Sequence, residues 1–257
     1  MILLLGGRGF VGSAFERVCR SRHLDVVVVD RQNYRDFVGS TCDIVINANG
    51  NSRKPLASAA PMDDFDASVR TVRQTLVDFH CKSYVYLSSC DVYADCSSPA
   101  TTDEAQALDV TKQSPYGFHK YLAENCVRHA APAWLIARLG GLVGPGLWKN
   151  AVFDILNGGP LWLDPASELQ FMSVDDCARI VLDLAERRTG DVFNVCGRGV
   201  IRLADVIAAA GMDVVVQPGS PTVRYDVSVD KLSAVADVPS TTEAVLEFVR
   251  SSKVAAK

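Results

Sequence analysis

The chain opens with the stretch Ile2-Leu3-Leu4-Leu5-Gly6-Gly7-Arg8-Gly9-Phe10-Val11-Gly12, in which an apolar run meets glycines spaced three residues apart. A helical pattern follows from about residue 10 to residue 22. Gly6 permits a tight turn, Gly9 lets the backbone approach a phosphate, and Gly12 allows the helix to pack closely on the strand. The free N–H groups at the start of such a helix favour a pyrophosphate. The stretch predicts a dinucleotide-binding turn, and an ordinary strand–helix turn is the alternative.

The second apolar run, Val26-Val27-Val28-Val29, ends at Asp30. An acid at the end of the second strand, roughly 20 residues after a glycine turn, accepts hydrogen bonds from the hydroxyls of an adenosine ribose. Asp30 favours NAD, because a 2′-phosphate at this point would meet a like charge. Arg8 and Arg31 favour NADP, since either guanidinium can pair with a 2′-phosphate. We expect NAD as the cofactor, with NADP as the alternative.

Further strand patterns lie at residues 43–48, 84–89, 133–138 and 191–195, and helical patterns lie at 62–81, 115–130 and 174–187. Strands rich in Val and Ile that alternate with amphipathic helices indicate an α/β fold with a doubly wound parallel sheet of the Rossmann type. The link between Asp30 and Asp43 has room for one or two helical turns near Tyr34–Val38 but hardly for another strand.

A tyrosine and a lysine lie four residues apart in Tyr116-Gly117-Phe118-His119-Lys120. On a helix these two side chains share a face, one turn from each other. A nearby ammonium lowers the pKa of a phenol from its reference of roughly 10, which suits a general acid or base. Taken alone, the spacing is also typical of a chance pair on a solvated helix.

Short motifs follow one another in a specific order over roughly residues 1–200. They are Gly-Gly-Arg-Gly-Phe-Val-Gly at 6–12, Ile-Asn-Ala-Asn-Gly at 46–50, Leu-Ser-Ser-Cys-Asp-Val-Tyr at 87–93, Tyr-x-x-x-Lys at 116–120, Arg-Leu-Gly-Gly-Leu-Val-Gly-Pro-Gly at 138–146 and Leu-Gln-Phe-Met-Ser-Val-Asp-Asp at 169–176. Through these motifs the chain resembles the extended short-chain dehydrogenases/reductases of the NAD-dependent epimerase/dehydratase group, which modify nucleotide sugars.

The resemblance implies catalytic roles for three residues. Tyr116 would be the acid/base, and Lys120 would hold the nicotinamide ribose and lower the pKa of Tyr116. Ser89 would hydrogen-bond the reacting oxygen, with Ser88 as the register alternative. The resemblance also implies a set of cofactor contacts, to which Tyr116 and Lys120 belong. The others are Gly6, Arg8, Gly9, Phe10, Val11, Gly12, Asp30, Arg31, Asn47, Ala48, Asn49 and Ser88.

The substrate side carries fewer signals. Cys90 and Asp91 lie where some family dehydratases carry an acid pair, and the absence of the first acid argues against sugar dehydration. Cys90 is either an acid/base, as in some relatives that also epimerise, or a small buried packing residue. Asn150 lies where family members contact a substrate pyrophosphate, and Arg224 could pair with a phosphate or be a solvated surface residue. Ser89 completes the predicted substrate contacts.

The composition fits a soluble enzyme. The net charge of −4 over 257 residues provides no basic excess for nucleic acid. The sequence has no run of 18 apolar residues for a membrane span. The eight cysteines form no C-x-x-C pair and the four histidines are scattered, so we expect neither a metal site nor a disulfide framework. Reduced thiols favour a cytoplasmic location.

We predict a dinucleotide-binding Rossmann domain over 1–141 and about 173–196, and a small substrate-binding lobe over 142–172 and 197–257. Substrate would bind in the crevice between them. The predicted function is that of an NAD(P)-dependent epimerase or ketoreductase acting at C4 of a nucleotide sugar. The alternatives are a reductase of a non-sugar carbonyl and a non-catalytic NAD(P)-binding regulator or scaffold. By resemblance, the helices at 62–81 and 115–130 would form a homodimer interface.

Overall fold

The structure is a computed structural model that describes residues 1–187 and 189–255, so residue 188 and the last two residues of the predicted lobe lie outside the description. The chain divides into two compact units. The first unit comprises Met1–Ala94, Glu104–Leu139 and Ala178–Phe193. The second comprises Asp95–Asp103, Gly140–Cys177 and the chain from Asn194 onward.

The strands of the described chain are β1 (Ile2–Leu5), β2 (Val26–Val29), β3 (Thr41–Asn47), β4 (His80–Ser89), β5 (Trp134–Leu139), β6 (Gly141–Val143), β7 (Glu168–Leu169), β8 (Phe171–Ser173), β9 (Asp191–Val195) and β10 (Ile201–Arg202). Within the described residues, six of them form one sheet in the order β2-β1-β3-β4-β5-β9. The pairings from β2 through β5 are parallel. This architecture confirms the predicted Rossmann-type α/β fold.

The helices of the described chain are α1 (Phe10–Ser21), α2 (Tyr34–Phe37), α3 (Lys54–Ala59), α4 (Pro61–Phe65), α5 (Thr71–Asp78), α6 (Pro115–Ala130), α7 (Ala151–Leu156), α8 (Val174–Arg187), α9 (Leu203–Ala210), α10 (Asp230–Ser233) and α11 (Thr241–Ala255). A π-helical segment, Asp66–Arg70, joins α4 to α5, and 3₁₀ turns lie at Cys90–Val92, Pro99–Thr101 and Val110–Lys112. None of the helices within 1–187 and 189–255 has the length and apolar character needed to cross a membrane.

Most predicted elements are confirmed, and the bounds of α6 and α8 match the predicted helices. The predicted helix at 62–81 is wrong at its C-terminal end, because α5 stops at Asp78 and Phe79 is extended. The N–H of His80 donates to Ser40 O at 3.0 Å, and His80 then pairs in register with Thr41. Pairing with β3 therefore overrides the helical pattern of these residues.

Helix α6 is fixed at its start by Ser114, whose Oγ accepts a hydrogen bond from the N–H of Gly117 at 3.1 Å. Pro115 follows at the first helical position, where its missing N–H is tolerated. A Cβ at Gly117 would lie 1.9 Å from Asp91 O, so the helix packs directly on the turn after β4. This packing turns the face of Tyr116 and Lys120 towards the interior of the first unit.

The second unit has its own apolar core, which gathers α7, α9, α11 and the strands beside them. Its buried members include Val143, Val152, Ile155, Leu161, Phe171, Ile201, Leu203, Val206, Val245 and Val249. Strand β6 pairs in parallel with β8, and β7 pairs antiparallel with β10. Gly197 is required at the edge of this core, since a Cβ there would lie 2.0 Å from Phe171 O.

The sequence predicts residues 95–103 within the dinucleotide-binding domain, but they pack with the second unit. The N–H of Asp226 donates to Cys96 O at 2.7 Å, and the N–H of Ser228 donates to Thr102 Oγ1 at 2.9 Å. The side chain of Asn194 also donates to Thr102 O at 2.7 Å. These contacts join a segment between β4 and α6 to the last third of the chain, a long-range pairing without a local sequence signal.

Candidate active site

The glycine turn joins β1 to α1 through backbone contacts. Gly6 has a φ of +77°, a conformation that favours glycine. The N–H of Gly9 donates to Gly6 O at 3.0 Å and closes the turn. A Cβ at Gly12 would lie 2.2 Å from Gly6 O and 2.7 Å from Gly7 Cα. A side chain at Gly12 would therefore prevent the close packing of α1 on the turn at the end of β1.

The N-terminus of α1 fits the pyrophosphate of a dinucleotide. Gly9 is the N-cap and carries no side chain that could satisfy the first N–H groups of the helix. A Cβ at Gly9 would meet only Gly6 O, at 3.4 Å, so the space beside the free N–H groups is open to a phosphate. Phe10 and Val11, the first residues of α1, are half-buried beside this space.

Asp30 lies at the end of β2, and its carboxylate forms an ion pair with Arg8 of the glycine turn. The hydrogen bond from Arg8, together with the N–H of Gln32, holds the pKa of Asp30 below its usual value. The structure thus brings together Asp30 and Arg8, which favour opposite cofactors. Arg31 is exposed next to them.

The segment after β3 contacts the glycine turn through Ala48 and Asn49. The N–H of Ala48 donates to Leu5 O at 3.0 Å, and Asn49 Oδ1 lies 2.6 Å from the position of a Cβ on Gly6. Asn47 is fully buried, and its Nδ2 donates to Tyr84 Oη at 2.6 Å. Its Oδ1 accepts from the N–H of Asn49 at 2.8 Å, so the Asn47 side chain fixes the start of this segment from within the core.

The predicted catalytic residues come together at the carboxyl end of β4. Tyr116 is only 8% exposed, and the side chain of Ser89 lies close enough to its phenol to influence the pKa of Tyr116. Ser89 Oγ in turn donates to Asp91 Oδ2 at 2.9 Å, and Lys54 Nζ lies 2.7 Å from Asp91 Oδ1. A connected path of polar groups thus leads from the buried phenol to the exposed Lys54.

The pKa of Tyr116 is raised in this structure, whereas the sequence predicts that Lys120 lowers it. Burial raises the pKa of Tyr116, the charge of Asp91 raises it further, and the nearby hydroxyl of Ser89 lowers it only in part. Lys120 Nζ lies 5.9 Å from the centroid of the Tyr116 ring. Desolvation of the phenolate therefore outweighs the ammonium, which sits over the ring rather than at the hydroxyl.

Lys120 is 5% exposed, and burial lowers its pKa to about 8 against the opposing charges of Asp64, Glu124 and Asp91. Its Nζ lies 3.5 Å from Leu87 O and 5.5 Å from the centroid of the Tyr86 ring. The side chain is therefore held inside the unit and titrates near physiological pH.

Ser88 and Cys90 point away from Ser89, as the alternation of a strand requires. Ser88 Oγ donates to Glu124 Oε1 at 2.7 Å, and Cys90 Sγ donates to Arg138 O at 3.2 Å. Arg138 binds Glu124 through two bonds of 3.0 and 2.8 Å. The hydroxyl of Ser88 and the thiol of Cys90 thus belong to a buried structural network, which leaves Ser89 as the serine beside the phenol.

Three charged or titratable neighbours of the site are absent from the sequence predictions. They are Asp64, His119 and Glu124, whereas Lys54 follows the loop at 46–50 and is predicted to reach substrate. Glu124 carried a local signal, since it follows Lys120 by four residues on the same buried face of α6. Lys54 and Asp64 lie in α3 and α4, and they reach the site only through the tertiary packing of these short helices.

The two predicted substrate contacts in the second unit have local partners. Asn150 Oδ1 accepts from the N–H of Phe153 at 3.0 Å, and its Nδ2 donates to Leu142 O at 3.0 Å. Asn150 therefore caps α7. Arg224 pairs with Glu168 and, at 2.6 Å, with Asp226, so its charge is neutralised by two carboxylates.

The arrangement in the first unit is suited to acid/base chemistry beside a bound dinucleotide. A buried phenol, a hydroxyl donor and a buried ammonium lie at one end of the sheet whose glycine turn fits a pyrophosphate. Among the residues that the structure describes, no group of three or more His, Cys, Asp or Glu side chains is placed to hold a metal ion.

Comparison with solved structures supports the fold assignment. MoeE5 in complex with UDP-glucose and NAD has a TM-score of 0.83 and 16% sequence identity, over 100% of this chain and 99% of that chain. A UDP-galactose 4-epimerase has a TM-score of 0.77 and 21% identity, over 96% and 97% of the two chains. A dTDP-4-dehydrorhamnose reductase from Clostridium acetobutylicum has a TM-score of 0.78 and 18% identity, over 98% and 99%. At such low identities, the TM-scores show a shared fold and no more.

Sequence comparison identifies the family. A search of curated proteins found no match. The model of the NAD dependent epimerase/dehydratase family, in contrast, matches residues 2–196, which include the glycine turn, Ser89, Tyr116 and Lys120. Because this match spans well over half of the chain, the protein belongs to the NAD-dependent epimerase/dehydratase family of enzymes.

Proposed function

We propose that this enzyme catalyses hydride transfer at C4 of a nucleotide sugar, as an epimerase or a ketoreductase. The observation that carries the proposal is the burial of Tyr116 and Lys120 on one face of α6, with Ser89 beside them at the end of β4. The fold likeness to a structure bound to UDP-glucose and NAD supports a nucleotide sugar. The likeness to a 4-epimerase and to a 4-dehydrorhamnose reductase supports both reaction types.

In the proposed mechanism, Tyr116 acts as a phenolate that takes the proton of the reacting hydroxyl in the oxidising direction, and as a phenol that returns it in the reducing direction. Ser89 turns its hydroxyl hydrogen from Asp91 to the reacting oxygen and stabilises the charge that develops there. Lys120 holds a positive charge one helical turn from the phenol. Bound NAD supplies the acceptor or donor of the hydride. The burial of Tyr116 and Lys120 keeps water away from these steps.

A second candidate is a reductase of a carbonyl compound without phosphate groups. The local partners of Asn150 and Arg224 favour it, because these predicted phosphate contacts already bind other groups of the second unit. A non-catalytic NAD(P)-binding regulator is disfavoured, since it has no need for a buried acid/base arrangement.

Tyr116→Phe tests the proposal. The variant removes the phenolic proton but keeps the ring that fills the buried position, so we expect turnover to fall to background. Binding of NAD should stay near the wild-type level. The measurement is product formation from UDP-galactose with NAD, and from a dTDP-4-keto sugar with NADH or NADPH, beside calorimetric titration of the cofactor.

Retained turnover in Tyr116→Phe would contradict the acid/base role. Wild-type turnover of a simple ketone, with both nucleotide sugars inert, would favour the second candidate. If NAD binds but no substrate of either kind reacts, the regulator alternative is supported instead.

The proposal includes a homodimer and a cytoplasmic location. The exposed apolar residues Met62, at 69%, and Val77, at 56%, on α4 and α5 support an interface there. Sedimentation of the wild-type protein at a monomer mass over the micromolar range would contradict the dimer.

A further inference from the structure

Three carboxylates raise the pKa of Lys120, and they come from three different segments of the first unit. Glu124 lies on α6, Asp91 in the turn after β4, and Asp64 on α4. Two of them have strong cationic partners of their own. Glu124 accepts from Arg138 at 2.8 Å, and Asp91 pairs with Lys54 at 2.7 Å.

Asp64 differs from the other two carboxylates. Its side chain is fully buried, and among the described residues no lysine or arginine lies within ion-pair distance of it. It is held by neutral or weakly basic donors. His119 Nδ1 lies 2.6 Å from Oδ2, while Asn51 Nδ2 donates to Oδ1 at 2.8 Å and Ser68 Oγ at 3.3 Å. A buried carboxylate without a lysine or arginine partner is stabilised by a positive charge nearby.

Asp64 is also linked to Lys120 indirectly, through the loop that contains Gly50. The N–H of Asn51 donates to Ser68 Oγ at 3.4 Å, so Asp64 and Ser68 together fix the loop that contains Gly50. Gly50 has a φ of +130°, and a Cβ there would lie 3.3 Å from Lys120 Nζ. The loop held by Asp64 thus forms one wall of the space around the ammonium.

We propose that Asp64 is the counter-charge and positioning residue of Lys120, which it keeps protonated and in place for the cofactor. The other charged or titratable groups near Lys120 are already engaged. They are Glu124 with Arg138, Asp91 with Lys54, His119 with Asp64, Tyr116 with Ser89, and the ring of Tyr86. This inference rests on the proposed role of Lys120 at the cofactor.

The sign of the effect follows from the direction of each shift. Burial lowers the pKa of Lys120 to about 8, and the charge of Asp64 opposes that lowering. Affinity for NAD that depends on a protonated Lys120 is therefore present below about pH 8 and lost as the pH rises. Removal of the charge on Asp64 should move this loss to lower pH, by roughly one unit.

The test is the pH profile of NAD affinity, measured by calorimetry from pH 6 to 10 without substrate. We expect the alkaline midpoint of Asp64→Asn to fall by roughly one pH unit. Asp64→Glu keeps the charge, so its alkaline midpoint should lie close to that of the wild type. Asp66→Asn is the matched control, because Asp66 lies on the adjacent π-helical segment and pairs with the exposed Arg70. Asp64→Ser, with room for a water, is the second charge-free variant if the asparagine variant does not fold.

An unshifted midpoint in a folded charge-free variant would overturn the inference and leave the proposed function standing. Lys120→Met distinguishes the two. If the alkaline loss of affinity in the wild type persists in Lys120→Met, that loss does not report Lys120, and both the inference and the proposed role of Lys120 fail. A midpoint that moves in Asp64→Asn but not in Asp66→Asn supports Asp64 as the counter-charge.

Discussion

The glycine turn and the surroundings of Lys120 lie in the same unit but are built in different ways. The turn uses consecutive residues, and its geometry comes from the backbone: a positive φ at Gly6 and a Cβ-free contact at Gly12. The surroundings of Lys120 are gathered from α3, α4, the turn after β4 and α6, and they depend on side-chain charge and burial. The first is specified locally, whereas the second exists only in the folded chain.

The difference has a consequence for substitutions. In the turn, a single added methyl group meets backbone atoms that cannot move without shifting β1 or α1. Around Lys120, several carboxylates contribute to the electrostatic potential at the ammonium. When one of them is removed, the others still stabilise the charge of Lys120 in part. We therefore expect steep effects in the turn and graded effects in the charged surroundings.

Gly12→Ala should have the largest effect. The new Cβ would lie 2.2 Å from Gly6 O, so the start of α1 must shift. Overpacking against backbone costs about 3 kcal/mol, and the N–H groups that face the phosphates move with the helix. We expect both a lower melting temperature and a loss of NAD affinity of at least about 100-fold, measured by calorimetry.

Gly9→Ala is the matched control for this prediction. Gly9 has a φ of −79°, which any residue adopts, and its Cβ would meet only Gly6 O at 3.4 Å. It should lower NAD affinity by filling the phosphate space and leave the melting temperature near the wild-type value. Equal stability loss in both variants would contradict the distinction between packing at Gly12 and ligand approach at Gly9.

Ser89→Ala should have the next largest effect, on turnover. Loss of a preorganised donor to a developing oxyanion lowers the rate by about 10²–10³-fold, and kcat should carry most of the loss. Ser88→Ala is the comparison, because the neighbouring hydroxyl donates to Glu124 in the buried network. That variant should lower stability by about 1 kcal/mol with a much smaller effect on kcat. A larger kcat loss for Ser88→Ala would reverse the assignment of the two serines.

The sequence predicts the glycine turn well because the turn is formed by residues that follow one another in the chain. The spacing of Gly6, Gly9 and Gly12 after an apolar run already indicates a turn that leaves no room for side chains, and the structure shows this close packing at Gly12. The face shared by Tyr116 and Lys120 is equally local, since it follows from the helical period. The environment of these two side chains is not local. For example, Asp64 and His119 are in contact although they lie 55 residues apart in the sequence.

The direction of the Tyr116 pKa shows where sequence reasoning fails. The spacing places a cation near the phenol, and in a solvated helix that cation would decide the shift. In the folded unit burial decides it, and burial depends on how α6 packs on β4 and on the turn at Cys90–Val92. Likewise, the helix predicted at 62–81 ends early because β4 pairs with β3, a contact between distant segments.

Asp30→Ala should have the smallest effect on affinity. Asp30 combines the features of both regions, since it is placed by the backbone and acts through its side-chain charge. The carboxylate is placed by the end of β2, yet its ion pair with Arg8 makes it part of the glycine turn. Its removal takes away an acceptor for ribose hydroxyls and frees the guanidinium, so NAD affinity should fall about tenfold while NADP affinity rises. The measurement is the ratio of the two dissociation constants, with Arg8→Ala as the control that should not raise NADP affinity. If Asp30→Ala leaves the ratio unchanged, neither residue selects the cofactor, and the turn binds only the pyrophosphate.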